Sequence, residues 1–170
     1  IYADFVVDLF AKDLVVLIFF HVNVTDIAAT SCILAGEGGE LLSSKAATLR
    51  LYPASTTKVM TALLALKYGN LSDMVTVPPE STITETGTSL AGIHPGDSLT
   101  LEQLLYGLML PSGNDAANAI AVHVGGSMEN FVEMMNKEAQ RIGAVDTHFV
   151  NANGLHNAEH YKRLRSEERR

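Results

Sequence analysis

Residues 53–64 have the sequence PASTTKVMTALL, in which a short polar stretch leads directly into a run of apolar helix formers. Ser55 and Lys58 are three positions apart, so both side chains lie on one face of a helix, one turn from each other. A lysine amine at that distance can accept the hydroxyl proton and make the serine a nucleophile. The apolar neighbours Val59 and Met60 indicate that this turn faces inward. Burial of a lysine there costs folding free energy, which favours a functional role for the side chain.

The expected position of Ser55 at the start of the helix also favours nucleophilic chemistry. Unpaired backbone N–H groups and the helix dipole at that end stabilise a developing alkoxide. The same positive potential, together with burial, should lower the pKa of Lys58, so that some neutral amine exists to act as a base. The alternative is that Lys58 is an ordinary solvated lysine on a helix surface.

A second short motif, Ser112-Gly113-Asn114, follows Pro111 between two apolar helical segments. A serine hydroxyl there can relay a proton to a leaving group, and an asparagine amide can hold a substrate carbonyl or the lysine. Serine and asparagine are also preferred at helix N-caps, so the motif alone favours a plain cap. Beside Ser55 and Lys58, the catalytic interpretation becomes the stronger one.

Composition limits the classes of protein to which the chain can belong. Its 170 residues are 47% hydrophobic and 18% charged, which is typical of one globular domain or part of one. A formal net charge of -7 disfavours nucleic acid and anionic lipid as partners. The single cysteine, Cys32, allows no internal disulfide, and we expect a buried strand residue there rather than a lipid anchor.

Residues 1–26 stay unassigned. They contain an apolar run at 14–20 that is too short to span a bilayer. The run could be taken for a signal-peptide core, but Asp4, Asp8 and Asp13 precede it where basic residues are expected. No clear small-x-small cleavage site follows it either.

Turn and cap signals divide the rest of the chain into elements. The Gly-rich stretch 36–39 predicts a hairpin between strands at about 28–35 and 41–44. A helix at about 55–68 ends at Gly69, and loops with short strands follow it. The later predictions are a helix opened by a Thr100–Gln103 capping box and stopped at Pro111, a helix at about 115–123, and a helix capped by Ser127 with a buried stripe of Phe131, Met135, Ala139 and Ile142.

Six histidines raise the question of a metal site. His156 and His160 have helical i, i+4 spacing, and His148 is close in sequence. No His-Glu-x-x-His pattern occurs and no cysteine accompanies them, so we expect no zinc site. A Ser-His-Asp triad is also disfavoured, because Lys58 already stands at the right distance to serve as the base.

Three segments together resemble one known family. Residues 51–63 look like the active-serine segment of the D-alanyl-D-alanine carboxypeptidases, the low-molecular-weight penicillin-binding proteins, which are serine peptidases. Residues 104–117 are similar to that family's second motif and its surroundings, and residues 147–155 resemble its later Asn-Gly-Leu stretch. The resemblance covers about residues 28–161 at family-typical spacing.

The resemblance implies an α+β fold of the β-lactamase/transpeptidase-like type. We expect a helical subdomain together with part of an antiparallel sheet, which would be incomplete. The corresponding domain prediction is an unassigned segment at 1–26, a partial catalytic domain at 27–161 and a charged tail at 162–170.

The family's mechanism, carried over to this sequence, proceeds through an acyl-enzyme. Ser55 would attack the carbonyl of the penultimate D-alanine of a peptidoglycan stem peptide and expel the terminal D-alanine. Lys58 would be the general base, Ser112 a proton shuttle towards the leaving amine, and Asn114 a substrate-positioning group. No metal or organic cofactor is needed, β-lactams would acylate Ser55 as inhibitors, and the implied location is the cell envelope outside the cytoplasm.

The sequence also departs from the family pattern. No lysine is followed by Thr-Gly, whereas the family carries a Lys-Thr-Gly motif on a strand well downstream of the second motif. That strand binds the substrate carboxylate and supplies the second oxyanion donor, so we expect a truncated chain with impaired turnover. The family's C-terminal membrane-anchoring segment is likewise expected to be absent from this chain.

Two alternatives stay open. In one, the chain is a catalytically inactive fragment that binds peptidoglycan-like peptides or a partner chain. In the other, which is weaker, it is a class A β-lactamase. The second is disfavoured because Gly113 takes the place of the aspartate in Ser-Asp-Asn and no glutamate is identifiable as the deacylation base.

Overall fold

The computed structural model describes residues 27–36, 38 and 40–162. The chain forms two compact units, Ile1–Leu49 and Arg50–Arg170. The unassigned segment at 1–26 and nearly all of the charged tail therefore lie outside the described residues, and the domain boundaries set from the sequence remain predictions.

The described part of the first unit contains an antiparallel hairpin. Its strands are β1 (Cys32–Ala35) and β2 (Leu41–Lys45), and Cys32 pairs with Lys45 in the register. The hairpin predicted around the Gly-rich stretch is confirmed. Cys32 is half-buried on the first strand.

The second unit combines helices with one short antiparallel strand pair over the residues that the structure describes. None of these helices is both long and apolar enough to cross a membrane. Together with the hairpin, this composition confirms the α+β class. The elements are α1 (Thr57–Tyr68), β3 (Met74–Thr76), β4 (Ser98–Thr100), α2 (Leu101–Met109), α3 (Asn114–Gly125) and α4 (Met128–Arg141), with β3 paired to β4.

The helix caps predicted from local sequence are present. The Gln103 N–H donates to Thr100 Oγ1 at 3.2 Å, and the Thr100 N–H donates to Gln103 Oε1 at 2.8 Å, which completes a capping box. At the start of α4, the Asn130 N–H donates to Ser127 Oγ at 3.1 Å. Each cap satisfies backbone N–H groups that have no partner inside the helix, so these two boundaries follow from a few adjacent residues.

The apolar stripe predicted on α4 is correct for three of its four members. Phe131, Met135 and Ala139 are fully buried. Ile142 was predicted to extend the stripe, but it is 48% exposed. Helix α4 ends at Arg141, and the backbone of Ile142 has already left the helical conformation, so helical spacing no longer sets its direction.

Helix α3 lies at the centre of the second unit, in contact with the three other helices. Its buried apolar side chains are alanines except for Ile120, and such small side chains let the neighbouring backbones approach closely. The larger core side chains come from the surrounding helices, among them Leu64 of α1, Leu104 of α2 and Phe131 of α4. This packing brings the first turn of α3 next to the first turn of α1.

Candidate active site

Ser55 lies on an exposed turn directly before α1. Residues Ala54–Thr56 form one turn of 3-10 helix, and α1 begins at Thr57, two residues later than the sequence predicted. Ala54 has a φ of 47°, in the left-handed region that alanine rarely adopts. Such a conformation persists only where surrounding contacts hold it. The candidate nucleophile is thus presented on a strained turn.

Lys58 lies in the first turn of α1 and is only 2% exposed. Its Nζ atom is 3.5 Å from Ser55 Oγ, 2.7 Å from Asn114 Oδ1 and 2.7 Å from the carbonyl oxygen of Asn153. The structure therefore brings the serine, the lysine and the asparagine of the two motifs together. The interpretation of Lys58 as a solvated surface residue is wrong.

Burial lowers the pKa of Lys58, and the negative charge of Asp115 opposes this with a smaller effect. A neutral amine has two N–H donors and one lone pair, whereas an ammonium has three donors. In the neutral form, the two short hydrogen bonds to Asn114 and Asn153 use both hydrogens. The lone pair is then left for Ser55 Oγ, which is the orientation that proton transfer from the serine requires.

The motif at the start of α3 does not act as a plain cap. Gly113 occupies the N-cap position, and no side chain caps this helix end. Asn114, the first helical residue, directs Oδ1 to Lys58 instead. Ser112 is half-buried with a φ of 59°, and nothing in the described chain bonds its hydroxyl to Ser55 or Lys58. Of the four predicted site residues, Ser112 is the one left outside this network.

Asn153 is a site residue that sequence reasoning did not single out. Its carbonyl accepts from Lys58, and its side-chain amide donates to Asn118 Oδ1 at 3.0 Å. Its Oδ1 accepts from the Leu155 N–H at 2.9 Å, and Asn118 in turn donates to the Glu80 carbonyl at 2.8 Å. Both asparagines are buried, so this network fixes the carbonyl that holds the lysine. Only the family resemblance of the Asn-Gly-Leu stretch pointed to this region.

Gly154 brings the same stretch against the turn that carries Ser55. Its φ is 87°, and a Cβ atom at this position would overlap the carbonyl group of Ala54. Glycine alone satisfies both the backbone conformation and the available space. This close approach is one of the contacts that hold the unusual conformation of Ala54.

Ser55 lines a cleft of about 200 Å³. One wall is a loop held by the buried carboxylate of Asp115, which accepts hydrogen bonds from the backbone N–H groups of Ala91, Gly92 and Ile93. The start of α3 therefore positions both a partner of Lys58 and the wall facing it. The cleft is lined by Ala54, Ser55, Gly87, Thr88, Ser89, Asn114, Asn153, Gly154 and Leu155.

Thr57, the first residue of α1, is tied to His160. The His160 Nε2 atom is 2.8 Å from Thr57 Oγ1, and its Nδ1 atom accepts from the Val150 N–H at 3.3 Å. Because Nδ1 is an acceptor, the neutral ring carries its proton on Nε2 and donates it to the threonine. Burial, and to a lesser extent the charge of His148, lowers the pKa of His160 to about 4. A neutral histidine therefore links the segment after α4 to the start of α1.

The histidines do not assemble a metal site within the residues described. His156 and His160, whose spacing would match on a helix, lie in a segment that is not helical. His156 packs edge-on against Tyr52, with ring centroids 4.6 Å apart. Residues 27–36, 38 and 40–162 contain no group of three or more His, Cys, Asp or Glu side chains that could hold a metal ion.

A family model described as D-alanyl-D-alanine carboxypeptidase matches residues 19–166 of this chain. The matched region contains every element of the second unit together with the Ser55 turn. The chain belongs to the D-alanyl-D-alanine carboxypeptidase family. The resemblance drawn from three sequence segments is thereby confirmed, and the family is one of serine peptidases.

Two curated relatives show how far the similarity extends. D-alanyl-D-alanine carboxypeptidase DacF of Bacillus subtilis (strain 168) is 36% identical over 137 residues, which cover 79% of this chain and 35% of DacF. DacB2 of Mycobacterium tuberculosis is 40% identical over 119 residues, which cover 70% of this chain and 40% of DacB2. The chain thus spans well under half of the length of these carboxypeptidases.

Solved structures of carboxypeptidase relatives have the same fold over the matched region. Penicillin-binding protein 5 of Haemophilus influenzae gives a TM-score of 0.77 at 33% identity, covering 84% of this chain and 44% of that protein. A mutant of the Streptomyces K15 DD-transpeptidase gives 0.74 at 37% identity, covering 81% and 57%. The transpeptidase-like fold predicted from the sequence is therefore confirmed.

Proposed function

We propose that this chain carries the acylation machinery of a serine-type D-Ala-D-Ala carboxypeptidase, with Ser55 as nucleophile and Lys58 as its general base. The observation that carries the proposal is the placement of Lys58 Nζ, 3.5 Å from Ser55 Oγ and held by two hydrogen bonds of 2.7 Å. Membership of the carboxypeptidase family supports the reaction class.

In the proposed reaction, Ser55 Oγ attacks the carbonyl carbon of the penultimate D-alanine in a peptidoglycan stem peptide. The hydroxyl proton passes to the neutral amine of Lys58 as the O–C bond forms. Collapse of the tetrahedral intermediate breaks the C–N bond, and the nitrogen of the departing D-alanine takes up a proton. Water then hydrolyses the acyl-enzyme, which releases the shortened peptide and restores the serine.

The structure supports the proposed role of Asn114 more directly than that of Ser112. Asn114 lines the cleft and bonds to Lys58, so we assign it the positioning of both the base and the substrate. The role of Ser112 as a proton carrier towards the leaving amine rests on the resemblance of its motif alone. From the same resemblance we propose β-lactams as covalent inhibitors, a reaction without metal or organic cofactor, and a location at the cell envelope outside the cytoplasm.

Labelling with a fluorescent penicillin, followed by peptide mass spectrometry, tests the assignment of the nucleophile. We expect the label on the peptide that contains Ser55 and no label in Ser55→Ala. Ser72→Ala removes a serine remote from the cleft and should leave labelling unchanged. A label on another residue, together with full labelling of Ser55→Ala, would refute the proposal.

We further propose that the 170-residue chain turns over D-Ala-D-Ala peptides poorly, although the residues that activate Ser55 are present. Its sequence contains no Lys-Thr-Gly, the motif to which the family resemblance assigns the second oxyanion donor. The loss of one such donor lowers the rate about 10²–10³-fold. Release of D-alanine from diacetyl-Lys-D-Ala-D-Ala by the purified chain measures this, and release as fast as from a full-length relative would contradict it.

A further inference from the structure

Lys162 is a half-buried lysine for which the described part of the chain provides no carboxylate partner. Burial removes water from its ammonium group and lowers its pKa. An ammonium that loses water without gaining an opposite charge is stabilised by binding an anion. Apart from Lys58, the other described Lys and Arg residues of the second unit do have such partners: Arg50 pairs with Glu159, Lys67 and Arg141 with Glu138, and Lys137 with Glu133.

The structure also fixes Lys162 beside the turn that carries Ser55. Its backbone exchanges two hydrogen bonds with Leu51, both of 2.9 Å, and its Nζ donates to Thr56 Oγ1 at 2.9 Å. Thr56 Oγ1 donates its own hydrogen to the Pro53 carbonyl at 2.6 Å, so it faces the ammonium with a lone pair. One of the three N–H donors of the ammonium is used in this way, which leaves two for a ligand.

The distances are compatible with contact to a substrate at Ser55. Consecutive Cα atoms are about 3.8 Å apart, so the short path through Thr56 places the Lys162 ammonium within roughly 9 Å of the Ser55 Cα atom. In a peptide that ends in D-alanine, the free carboxylate is three covalent bonds beyond the carbonyl carbon under attack, about 4 Å away. Neither Lys162 nor Thr56 lines the cleft, so this contact requires the substrate carboxylate to extend from the cleft towards the Thr56 side of the turn.

We propose that Lys162 is a carboxylate-binding residue of this chain, whose ammonium, held on Thr56, binds the free carboxylate of a terminal D-alanine or of a β-lactam while Ser55 is acylated. The inference rests on the function proposed above and adds a substrate contact outside the two motifs. A carboxypeptidase has to recognise the carboxylate that marks the end of its substrate, and a cation beside the nucleophile provides a charge-assisted partner for it.

The test compares two acylating agents on the full 170-residue chain: benzylpenicillin, which has a free carboxylate, and its methyl ester. Acylation is followed by intact-protein mass spectrometry. We define the ratio as the acylation rate constant of benzylpenicillin divided by that of its methyl ester. We expect Lys162→Met to lower this ratio about tenfold, because only the free acid loses a charged partner. Lys162→Arg keeps a cation and should retain part of the preference. Lys137→Met, which removes an exposed lysine of α4, is the matched control and should leave the ratio unchanged.

The possible outcomes separate this inference from the function on which it rests. The two rates are measured on one preparation, so a loss of folded protein does not change their ratio. Equal slowing of both compounds in Lys162→Met would assign the lysine to support of the turn and overturn the proposal. An unchanged rate for both would place carboxylate recognition elsewhere and also overturn it. If neither compound acylated the unsubstituted chain, the proposed function itself would be refuted, and this inference with it.

Discussion

Lys58 and Lys162 both contact the turn that carries Ser55, and burial lowers the pKa of both. Their surroundings differ. Lys58 is held by a side-chain oxygen from α3 and a backbone carbonyl from the segment after α4, at 2.7 Å each. Lys162 has one acceptor, Thr56 Oγ1, at 2.9 Å among the residues described. The two fixed acceptors around Lys58 orient the lone pair of its amine towards Ser55 Oγ, which suits a base. Lys162 has N–H donors that Thr56 Oγ1 does not use, which suits the binding of an anion.

The largest effect is expected from a substitution of the proposed base, Lys58. Lys58→Arg replaces an amine that acts in its neutral form by a guanidinium, which does not release its proton at neutral pH. We expect the rate of acylation by fluorescent penicillin to fall about 10⁴-fold at pH 7. Lys162→Arg makes the same exchange at the other lysine and should lower the rate by about tenfold or less.

Circular dichroism shows whether the Lys58→Arg chain is folded, and Lys58→Met provides a second variant that adds no bulk. Acylation that survives both substitutions in folded protein would show that another group takes the serine proton. The contrast drawn between the two lysines would then be wrong.

The next largest effect concerns the turn that both lysines share. Gly154→Ala would force a Cβ atom into the carbonyl of Ala54 and would also strain a backbone with a φ of 87°. We expect a loss of about 4 kcal/mol in the free energy of unfolding in urea. Gly126→Ala is the matched control, because its φ of 75° is comparable and nothing lies within 4 Å of an added Cβ.

The control should lose only about 1 kcal/mol, the cost of the backbone conformation itself. The difference between the two variants then measures the steric contact between Gly154 and Ala54. Equal losses would mean that this contact does not hold the Ser55 turn.

Neighbouring residues were sufficient to predict much of this site. The spacing of Ser55 and Lys58 predicted a shared helix face, and the two atoms are within 3.5 Å of each other. The capping box at Thr100 and the cap at Ser127 were also predicted, because each pairs a side chain with a backbone N–H group three positions away. Where the helical period ended early, as at Ile142, the same reasoning failed.

Contacts between distant parts of the chain were beyond this reasoning. The Asn153 group that holds Lys58 is a backbone carbonyl 95 positions away, and a carbonyl is common to every residue type. Lys162 was assigned to a charged tail on composition, yet its backbone pairs with Leu51. Tertiary packing creates both contacts, so no local pattern announces them.

A pH-dependent loss of stability is expected from His160, which bonds to Thr57. Thr57 lies between Thr56, which contacts Lys162, and Lys58. The pKa of His160 is about 4 in the folded chain, against an ordinary value of 6.5. Between these values the unfolded chain binds the proton that the folded chain excludes, so stability is full above pH 6.5 and falls as the pH drops towards 4. His160 should account for a loss of about 3 kcal/mol at pH 4.

Urea unfolding of the parent chain and of His160→Gln between pH 4 and 7.5 isolates this contribution. The variant has no group that titrates at this position, so the difference in free energy between the two proteins should shrink as the pH falls. A difference that is constant over the whole range would show that the pKa of His160 is the same in the folded and the unfolded chain.

The smallest effect is predicted for a substitution that changes only the surroundings of Lys58. Asn118→Ala removes the partner of the Asn153 side-chain amide and loosens the carbonyl that holds the lysine. We expect acylation by benzylpenicillin and by its methyl ester to slow equally, by about tenfold, because the proton transfer is impaired whether or not the agent carries a carboxylate. The ratio of the two rates should stay at the parent value, unlike the ratio in Lys162→Met.

Asn70→Ala removes an exposed asparagine whose Oδ1 accepts from the Ser72 N–H at 3.1 Å; it is the matched control and should change neither rate. A ratio that falls in Asn118→Ala would mean that the buried asparagine network acts on the carboxylate as well as on the base. The two lysines would then belong to one coupled network. Equal slowing of both agents in Asn118→Ala, together with a changed ratio in Lys162→Met, would instead show that the two lysines act independently. Burial affects both lysines, so their different roles would follow from their different hydrogen-bond acceptors.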